Sequence, residues 1–241
     1  MRAELFIQAF VGIPLLGFLL SLIISRKKEV IISRLAFGTI GVNLLAVMVF
    51  IGYWFMKGQL TLNLWDFSVF KTQSYEFFFD FYFDKITAVY LLVGSVLAFL
   101  VTLYSRYYMH REEGYKRFFN TLLFFYLGYN LVIVAGNFET MFIGWEMLGI
   151  SSFLLIAFYR DRYLPVKNAV KVFSIYRVAD VGFLLTMWMS HHLWHVNITF
   201  IKLNDVSYVN EHLASHSAIG VFISLMILIS AAAKSAQLPF S

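Results

Sequence analysis

Apolar residues occur along this chain in blocks about twenty residues long, separated by short charged clusters. A helix that crosses a bilayer needs about 20 mostly apolar residues. The sequence therefore predicts an all-α, polytopic membrane protein with about seven transmembrane helices. The predicted helices cover residues 5–25, 35–56, 86–104, 118–135, 138–159, 168–190 and 217–234. The first apolar run exceeds the ~7–15 residues of a signal-peptide core, so it is interpreted as a helix.

Two connections are longer than the others. Residues 57–84 contain the alternating stretch LTLNLWDFSVF and the aromatic run YEFFFDFYF. This pattern indicates a hairpin or an interfacial segment with aromatic rings at the level of the lipid headgroups. Residues 191–216 form a polar connection, for which we expect one short amphipathic helix.

Composition narrows the class of protein. Hydrophobic residues make up 60% of the 241 residues, charged residues only 14%, and mean hydropathy is +0.74. These values exclude a water-soluble globular domain. The absence of cysteine excludes disulfides and thiolate metal sites.

The net charge of +5 reflects membrane topology and does not predict nucleic-acid binding, because the basic residues flank apolar blocks. Twelve basic residues lie in or beside the first, third and fifth connections between the predicted helices. Five lie on the other side of the membrane. The twelve are Arg26, Lys27, Lys28, Arg34, Arg106, Arg111, Lys116, Arg117, Arg160, Arg162, Lys167 and Lys171, and the five are Arg2, Lys57, Lys71, Lys85 and Lys202. The bias predicts the N-terminus outside and the C-terminus inside.

Two modules are expected. Residues 1–116 would form an N-terminal module with three transmembrane helices and the outer hairpin-like loop. Residues 117–241 would form an incomplete module with four transmembrane helices. The seventh helix ends near Lys234, Pro239 follows, and the chain stops at Ser241. This pattern predicts a helix interrupted at its midpoint, in a chain that is a fragment or half of a split protein.

Once the charged residues assigned to the connections and their borders are set aside, four ionisable residues remain inside predicted helices: Glu146, Arg177, Asp180 and Lys234. Each charge costs about 2.5–3.5 kcal/mol at the bilayer centre on insertion scales, so intramembrane charges are candidate functional residues. Arg177 and Asp180 are spaced i, i+3 and lie on one helix face, where they can pair. That pair is explained either as a structural clamp or as part of a charge pathway.

Glu146 and Lys234 each allow two interpretations. Glu146 is either a protonated carboxyl that joins helices or a proton-binding site, and helix lengths give it a depth similar to that of Asp180. Lys234 either extends its amine to the membrane surface from an unbroken helix or lies at a helix break near mid-membrane. His191, His192 and His195 are interpreted as a helix-end cluster at the membrane surface, and no metal site is predicted.

Three segments together resemble a known family. They are GNFETMFIGWEMLGISSFLLIAFYRDR, the tetrad RVAD at 177–180 and the terminal AAAKSAQLPFS. They are similar to the antiporter-like proton-translocating family, specifically chain 5 (the L subunit) of NADH:quinone oxidoreductase, respiratory complex I. The segment FDKITAVYLLVGSVLAFLVTLYSRYYMHREEGYKRFF agrees with the N-terminal module of that family, so the resemblance covers about residues 79–241.

The resemblance implies roles for individual residues. Glu146 matches the glutamate of the family's GWE motif, the modulating acid, and Lys234 matches the lysine of its KSAQ motif, the proton-carrying base on a discontinuous helix. Arg177 and Asp180 match an RVGD-like motif whose ion pair tunes the pathway. Ala179 stands where the family usually has glycine. The implied fold is part of an antiporter-like inverted-repeat bundle.

The resemblance also implies a function: a membrane subunit that conducts protons, coupled to NADH:quinone oxidoreduction by partner subunits. The chain itself would carry no cofactor, while NADH, FMN, iron–sulfur clusters and quinone would belong to those partners. Other membrane subunits and the lipid bilayer are the expected partners, and nucleic acid is not. The inner loops favour a bacterial plasma membrane over a mitochondrial inner membrane.

Two rival interpretations remain. The first is a subunit of a cation/proton antiporter, or of a proton-driven inorganic-carbon uptake system, without NADH chemistry. The second is a non-catalytic scaffold in which the buried charges only specify helix packing.

Overall fold

The structure is a computed structural model that describes residues 3–71, 76–214 and 216–240. Arg2, counted above among the outer basic residues, and the terminal Ser241 lie outside the described residues. The helices are α1 Ala3–Ile23, α2 Glu29–Met56, α3 Lys85–Tyr108, α4 Tyr115–Val134, α5 Phe138–Ile156, α6 Tyr163–Trp194, α7 Phe200–Leu203, α8 Val206–Leu213 and α9 Ser217–Lys234, and the strands are β1 Leu62–Lys71 and β2 Glu76–Phe83.

Seven helices of the described chain are long and apolar enough to cross a membrane, namely α1 to α6 and α9. The prediction of an all-α, seven-helix membrane protein is therefore confirmed. The largest differences are in α6, which covers Tyr163–Trp194 and not residues 168–190, and in α2, which begins at Glu29 and not at residue 35. Pro165 lies in the first turn of α6, where a missing backbone N–H breaks no hydrogen bond of the helix.

The connection between α2 and α3 is a β-hairpin, as its alternating pattern predicts. β1 and β2 pair antiparallel from Leu62 opposite Phe83 to Lys71 opposite Glu76, with two irregularities in register. Phe83 is completely buried and packs edge-on against Phe50 and Trp54 of α2. Aromatic packing therefore fixes the base of the hairpin to the helices.

The connection between α6 and α9 contains two short helices where one was expected. α7 ends at Leu203, and α8 begins after Asp205. The Asp205 carboxylate accepts hydrogen bonds from the backbone N–H groups of Ser207 and Tyr208, and also contacts the Ser207 hydroxyl. A new N-cap therefore starts a second helix at this position.

The helix bundle has two different ends. The hairpin end contains β1, β2, α7, α8 and the connection between α4 and α5. The basic end contains the connections between α1 and α2, α3 and α4, and α5 and α6. Between these ends α4 and α5 pack closely, because Gly144 lies against Gly128: a Cβ on Gly144 would come 2.8 Å from the Gly128 carbonyl oxygen.

A neutral polar network joins α2, α3 and α4. Asn43 of α2 donates from Nδ2 to the Tyr126 hydroxyl at 2.8 Å and to Asn130 Oδ1 at 3.3 Å. The Tyr126 hydroxyl in turn donates to Ser95 Oγ of α3 at 2.9 Å. All four residues are buried, so these hydrogen bonds fix the relative positions of three helices in an apolar setting.

Candidate functional site

The four charged residues expected inside the membrane lie on α5, α6 and α9, which pack side by side in the order α5, α6, α9. Gly182 of α6 lies against Ser230 of α9, where a Cβ would come 2.6 Å from the serine hydroxyl oxygen. Small residues allow this close approach between helix backbones. The close packing keeps Lys234, at the end of α9, against α5 and α6.

Arg177 is the centre of an ion-pair group. Its guanidinium donates to both carboxylate oxygens of Glu146, at 2.9 Å and 3.3 Å, and lies 3.3 Å from Asp180 Oδ2. The i, i+3 pairing predicted for Arg177 and Asp180 is therefore present. Because one guanidinium reaches both acids, the similar depth predicted for Glu146 and Asp180 is also present.

The environment of Glu146 differs from that of a lone protonated carboxyl. Two parallel N–H donors from one guanidinium match the geometry of an ionised carboxylate. The Glu146 side chain is 23% exposed and the Arg177 side chain 42% exposed, whereas that of Asp180 is only 7% exposed. The group therefore has a buried side, at Asp180, and a side that remains accessible in the isolated chain.

Lys234 lies in an aromatic cage. Its amine donates to the Trp145 carbonyl oxygen at 3.0 Å and lies 4.7 Å from the Trp145 ring and 4.6 Å from the Tyr176 ring. Both rings attract a cation through their electron-rich faces. Gly149 leaves space for the amine, since a Cβ there would lie 3.2 Å from Nζ. Among the described residues, no carboxylate oxygen lies within 4.0 Å of this amine.

The position of the Lys234 amine bears on the two interpretations of this residue. Trp145 is seven residues into α5, so its carbonyl lies about 10 Å along the helix from its first residue at 1.5 Å per residue. An amine bound to that carbonyl is inside the bundle. This contact favours the interpretation that Lys234 lies inside the bundle, because α9 ends at Lys234 and the amine turns toward α5.

Trp145 connects the ion-pair group to the lysine. Its indole Nε1 donates to Asp180 Oδ1 at 2.9 Å, while its backbone carbonyl accepts from Lys234. Sequence reasoning missed this role of Trp145 and the contact of Tyr176. The GWE motif placed Trp145 beside Glu146, but only helix packing determines what an aromatic ring faces.

The histidine cluster is divided between different contacts. His191 Nδ1 lies 3.1 Å from Asn197 Oδ1, and the His192 and His195 rings lie 6.4 Å apart at the end of α6. Within the described ranges, no three side chains of the His, Cys, Asp and Glu types are grouped so that they could hold a metal ion.

Comparison of the sequence with known protein families identifies the family of this chain. The family "NADH-Ubiquinone oxidoreductase (complex I), chain 5 N-terminus" matches residues 69–119, and the family "NADH:quinone oxidoreductase/Mrp antiporter, TM" matches residues 135–241. The chain belongs to this antiporter-like complex I family. The second match contains all four charged residues of the site.

Curated relatives of the same family are similar in sequence to almost the whole of this chain. Subunit L of the NADH-quinone oxidoreductase of Escherichia coli K12 is 32% identical, over 94% of this chain and 37% of its own length. Chain 5 of the NADH-ubiquinone oxidoreductase of Hypocrea jecorina is 30% identical, over 93% and 32%. The NAD(P)H-quinone oxidoreductase subunit 5 of Mesostigma viride is 29% identical, over 94% and 35%. The chain thus spans about a third of the length of these relatives.

A solved structure has the same fold. The membrane-bound sulfane sulfur reductase, an archaeal respiratory membrane complex, contains a chain that superimposes with a TM-score of 0.78 at 16% sequence identity. The match covers 99% of this chain and 46% of the other. The antiporter-like fold of the described helices is therefore found in a respiratory membrane complex.

Proposed function

We propose that this chain is part of a membrane subunit that conducts protons across the bilayer, driven by NADH:quinone oxidoreduction in partner subunits. One observation carries the proposal: a continuous path of contacts runs from Glu146 through Arg177, Asp180 and Trp145 to Lys234. The names of the curated relatives support the coupling to NADH and quinone.

The proposed mechanism is electrostatic. Arg177 already bridges two carboxylates, so a small displacement shifts its charge from Glu146 toward Asp180 or back. A nearby charge changes the relative stability of the protonated and deprotonated forms of an amine. The movement of Arg177 therefore changes the proton affinity of Lys234, whose amine gains or loses a proton through hydrated polar side chains. Trp145 transmits the change because it contacts both Asp180 and Lys234.

The redox chemistry lies elsewhere in this proposal. NADH, FMN, iron–sulfur clusters and quinone belong to partner subunits, and this chain contributes only the proton site. Neighbouring membrane subunits and lipid cover the exposed apolar faces of helices such as α3 and α9. The names of the relatives favour this function over a freestanding cation/proton antiporter or an inorganic-carbon uptake system.

Two substitutions in the complete protein test the function. We expect Lys234→Ala and Glu146→Gln to abolish most coupled proton movement into membrane vesicles while membrane insertion remains normal. Lys171→Ala and Glu211→Gln are the matched controls, because both residues are exposed and lie outside the site. Wild-type rates of proton movement in both site variants would refute the proposal.

We also propose that the basic end faces the cytoplasm of a bacterium and that the N-terminus lies outside. The chain lacks cysteine, so single cysteines report its orientation directly. We expect Lys27→Cys at the basic end to resist a membrane-impermeant maleimide added to intact cells, and Glu211→Cys at the hairpin end to react. The reverse pattern would overturn the orientation.

A further inference from the structure

Two carboxyl groups are buried at the hairpin end, away from the ion-pair group. Asp80 of β2 has an exposed fraction of 0%, and Glu139 in the first turn of α5 has 5%. Among the described residues, neither carboxyl oxygen of Asp80 has a hydrogen-bond partner, and Glu139 Oε2 has none. Buried polar groups are normally hydrogen-bonded, so three unpaired carboxyl oxygens in one region need an explanation.

The backbone fixes Asp80 against the start of α5. Its N–H donates to the Thr140 hydroxyl at 3.2 Å, and its carbonyl accepts from the Gly136 N–H at 2.7 Å. Asn137 donates from its side chain to the Phe78 carbonyl at 3.0 Å. The Asp80 carboxyl itself occupies space that only a glycine at position 136 leaves free, because a Cβ there would collide with it. This carboxyl is therefore positioned by packing.

An ionised carboxylate without donors is unstable in such a place, so the neutral acid is favoured. Burial raises the pKa of Asp80 to about 7. The charged groups that neighbouring elements carry at the hairpin end include Glu139, Lys85 and the ion pair of Lys71 with Glu76 at 3.0 Å. His191 is linked to the same region through Asn197, which donates to the Glu76 carbonyl.

Glu139 and Glu146 lie seven residues apart on α5. Seven residues make almost two complete turns, so both side chains start from the same face of the helix, separated by about 10 Å along its axis. Glu139 lies at the hairpin end of this face, and Glu146 lies at the ion-pair group. The helix therefore places a buried, partly unpaired carboxyl between the surface of the bundle and the charged site.

We propose that Asp80 and Glu139 form a proton-holding site at the hairpin end, which exchanges protons with Glu146. The inference rests on the proposed function. When Arg177 moves toward Asp180, the proton of the Glu139 carboxylic acid passes to the Glu146 carboxylate through hydrated polar groups. Glu139 becomes the carboxylate and Glu146 the acid. A proton held by Asp80, or one from the aqueous phase at the hairpin end, then restores the acid form of Glu139.

Transport by the complete protein in its membrane complex tests the path. We expect Glu139→Gln to lower the initial rate of proton movement about 100-fold, the lower range for a positioned proton-transfer group. Asp80→Asn should cause a smaller loss and remove a step near pH 7 from the pH profile of the rate. Glu211→Gln, an exposed carboxyl at the same end, is the control and should keep the wild-type rate.

Infrared spectroscopy tests the protonation of Asp80 without relying on transport. Wild-type protein at pH 6 should show the carbonyl stretch of protonated carboxyls, and Asp80→Asn and Glu139→Gln should each lose a part of that signal. A signal of wild-type intensity in both variants would overturn the site. Loss of the wild-type signal on addition of Na⁺ or K⁺ at constant pH would also overturn it, because the carboxyls would then bind a metal cation.

Thermal unfolding provides a second check with a defined sign. Because the folded-state pKa of Asp80 is raised, folded protein holds this proton more tightly than unfolded protein does, and stability falls as pH rises from about 4 to about 7. Asp80→Asn cannot ionise, so its Tm should exceed that of the wild type by a margin that grows over this range and stays constant above it. An equal or lower Tm at pH 8 would contradict a neutral Asp80.

The outcomes separate this inference from the proposed function. If Lys234→Ala stops proton movement while Glu139→Gln and Asp80→Asn both keep the wild-type rate and pH profile, the hairpin-end site is refuted and the proposed function stands. If none of the three variants changes proton movement, the proposed function itself fails.

Discussion

The molecule contains two buried polar networks that differ in charge. In α2, α3 and α4, the network of Asn43, Ser95, Tyr126 and Asn130 consists of neutral side chains. In α5, α6 and α9, the network is built from two acids, an arginine and a lysine. Both networks join different helices, and both pair polar side chains with one another inside an apolar bundle.

This difference in charge indicates that the two networks have different roles. Neutral hydrogen bonds are sufficient to fix the relative positions of helices, at lower cost than buried charges. The second region carries four ionisable groups where neutral groups would hold the helices equally well. Charges in that region therefore need a reason beyond packing, and a change of protonation state is the one property that the neutral network lacks.

The strongest way to break this comparison is to make the second region apolar. Arg177→Met combined with Asp180→Leu and Glu146→Gln removes the whole ion-pair group, and replacement of a buried ion-pair group by uncharged residues is often neutral for stability. We expect normal membrane insertion but a loss of proton movement on the order of 100-fold, measured as quenching of a pH-sensitive dye in vesicles. Proton movement close to the wild-type rate would establish the scaffold interpretation.

Most of the fold was predictable because the bilayer imposes a simple length rule. α9 was predicted with the bounds that the structure has, Ser217–Lys234, and the hairpin followed from alternation in residues 57–84. The start of α6 was missed because the predicted helix of residues 168–190 begins after Pro165, although proline is compatible with the first turn of a helix. The second short helix was missed because its N-cap at Asp205 is a local signal within a polar segment.

The candidate site was only partly predictable. Subtracting loop charges identified Glu146, Arg177, Asp180 and Lys234, and spacing predicted one of the ion pairs. The bidentate contact of Arg177 with Glu146 and the aromatic cage of Lys234 depend on how three helices pack. No periodicity in the sequence indicates which residue the Trp145 ring or its carbonyl contacts.

A second prediction sharpens the comparison by removing the link inside the charged network. Trp145→Phe deletes the indole N–H that binds Asp180 but keeps an aromatic ring and the backbone carbonyl that binds Lys234. A hydrogen bond to a charged group contributes about 1.5–3 kcal/mol. We therefore expect proton movement to fall about tenfold, with a shifted pH profile. An unchanged pH profile would show that Trp145 does not couple Asp180 to Lys234.

The third prediction concerns the neutral network. Tyr126→Phe removes a hydroxyl that accepts from Asn43 and donates to Ser95. We expect the free energy of unfolding to fall by about 1 kcal/mol, the usual net value of a hydrogen bond, while the rate of proton movement per folded molecule stays at the wild-type level. A loss of proton movement larger than the loss of folded protein would mean that the neutral network also carries protons.

The smallest effect is expected from a ring that contacts Arg177 without hydrogen bonding. The Arg177 guanidinium lies 4.5 Å from the centre of the Phe173 ring, and Phe37 contacts Arg106 at 4.9 Å in the other region of the molecule. Each cation–π contact is worth about 0.5–1 kcal/mol. Phe173→Leu and Phe37→Leu should therefore lower stability by similar small amounts.

Only the first of these two variants should also change transport. Loss of the Phe173 ring removes one of the contacts that hold Arg177 between Glu146 and Asp180, so the guanidinium is displaced more easily. We expect a two- to threefold change in the rate of proton movement for Phe173→Leu, and none for Phe37→Leu, measured in parallel vesicle preparations. Equal effects of the two variants on transport would mean that the position of Arg177 does not control the proton, since the same contact would then matter as much outside the charged network as within it.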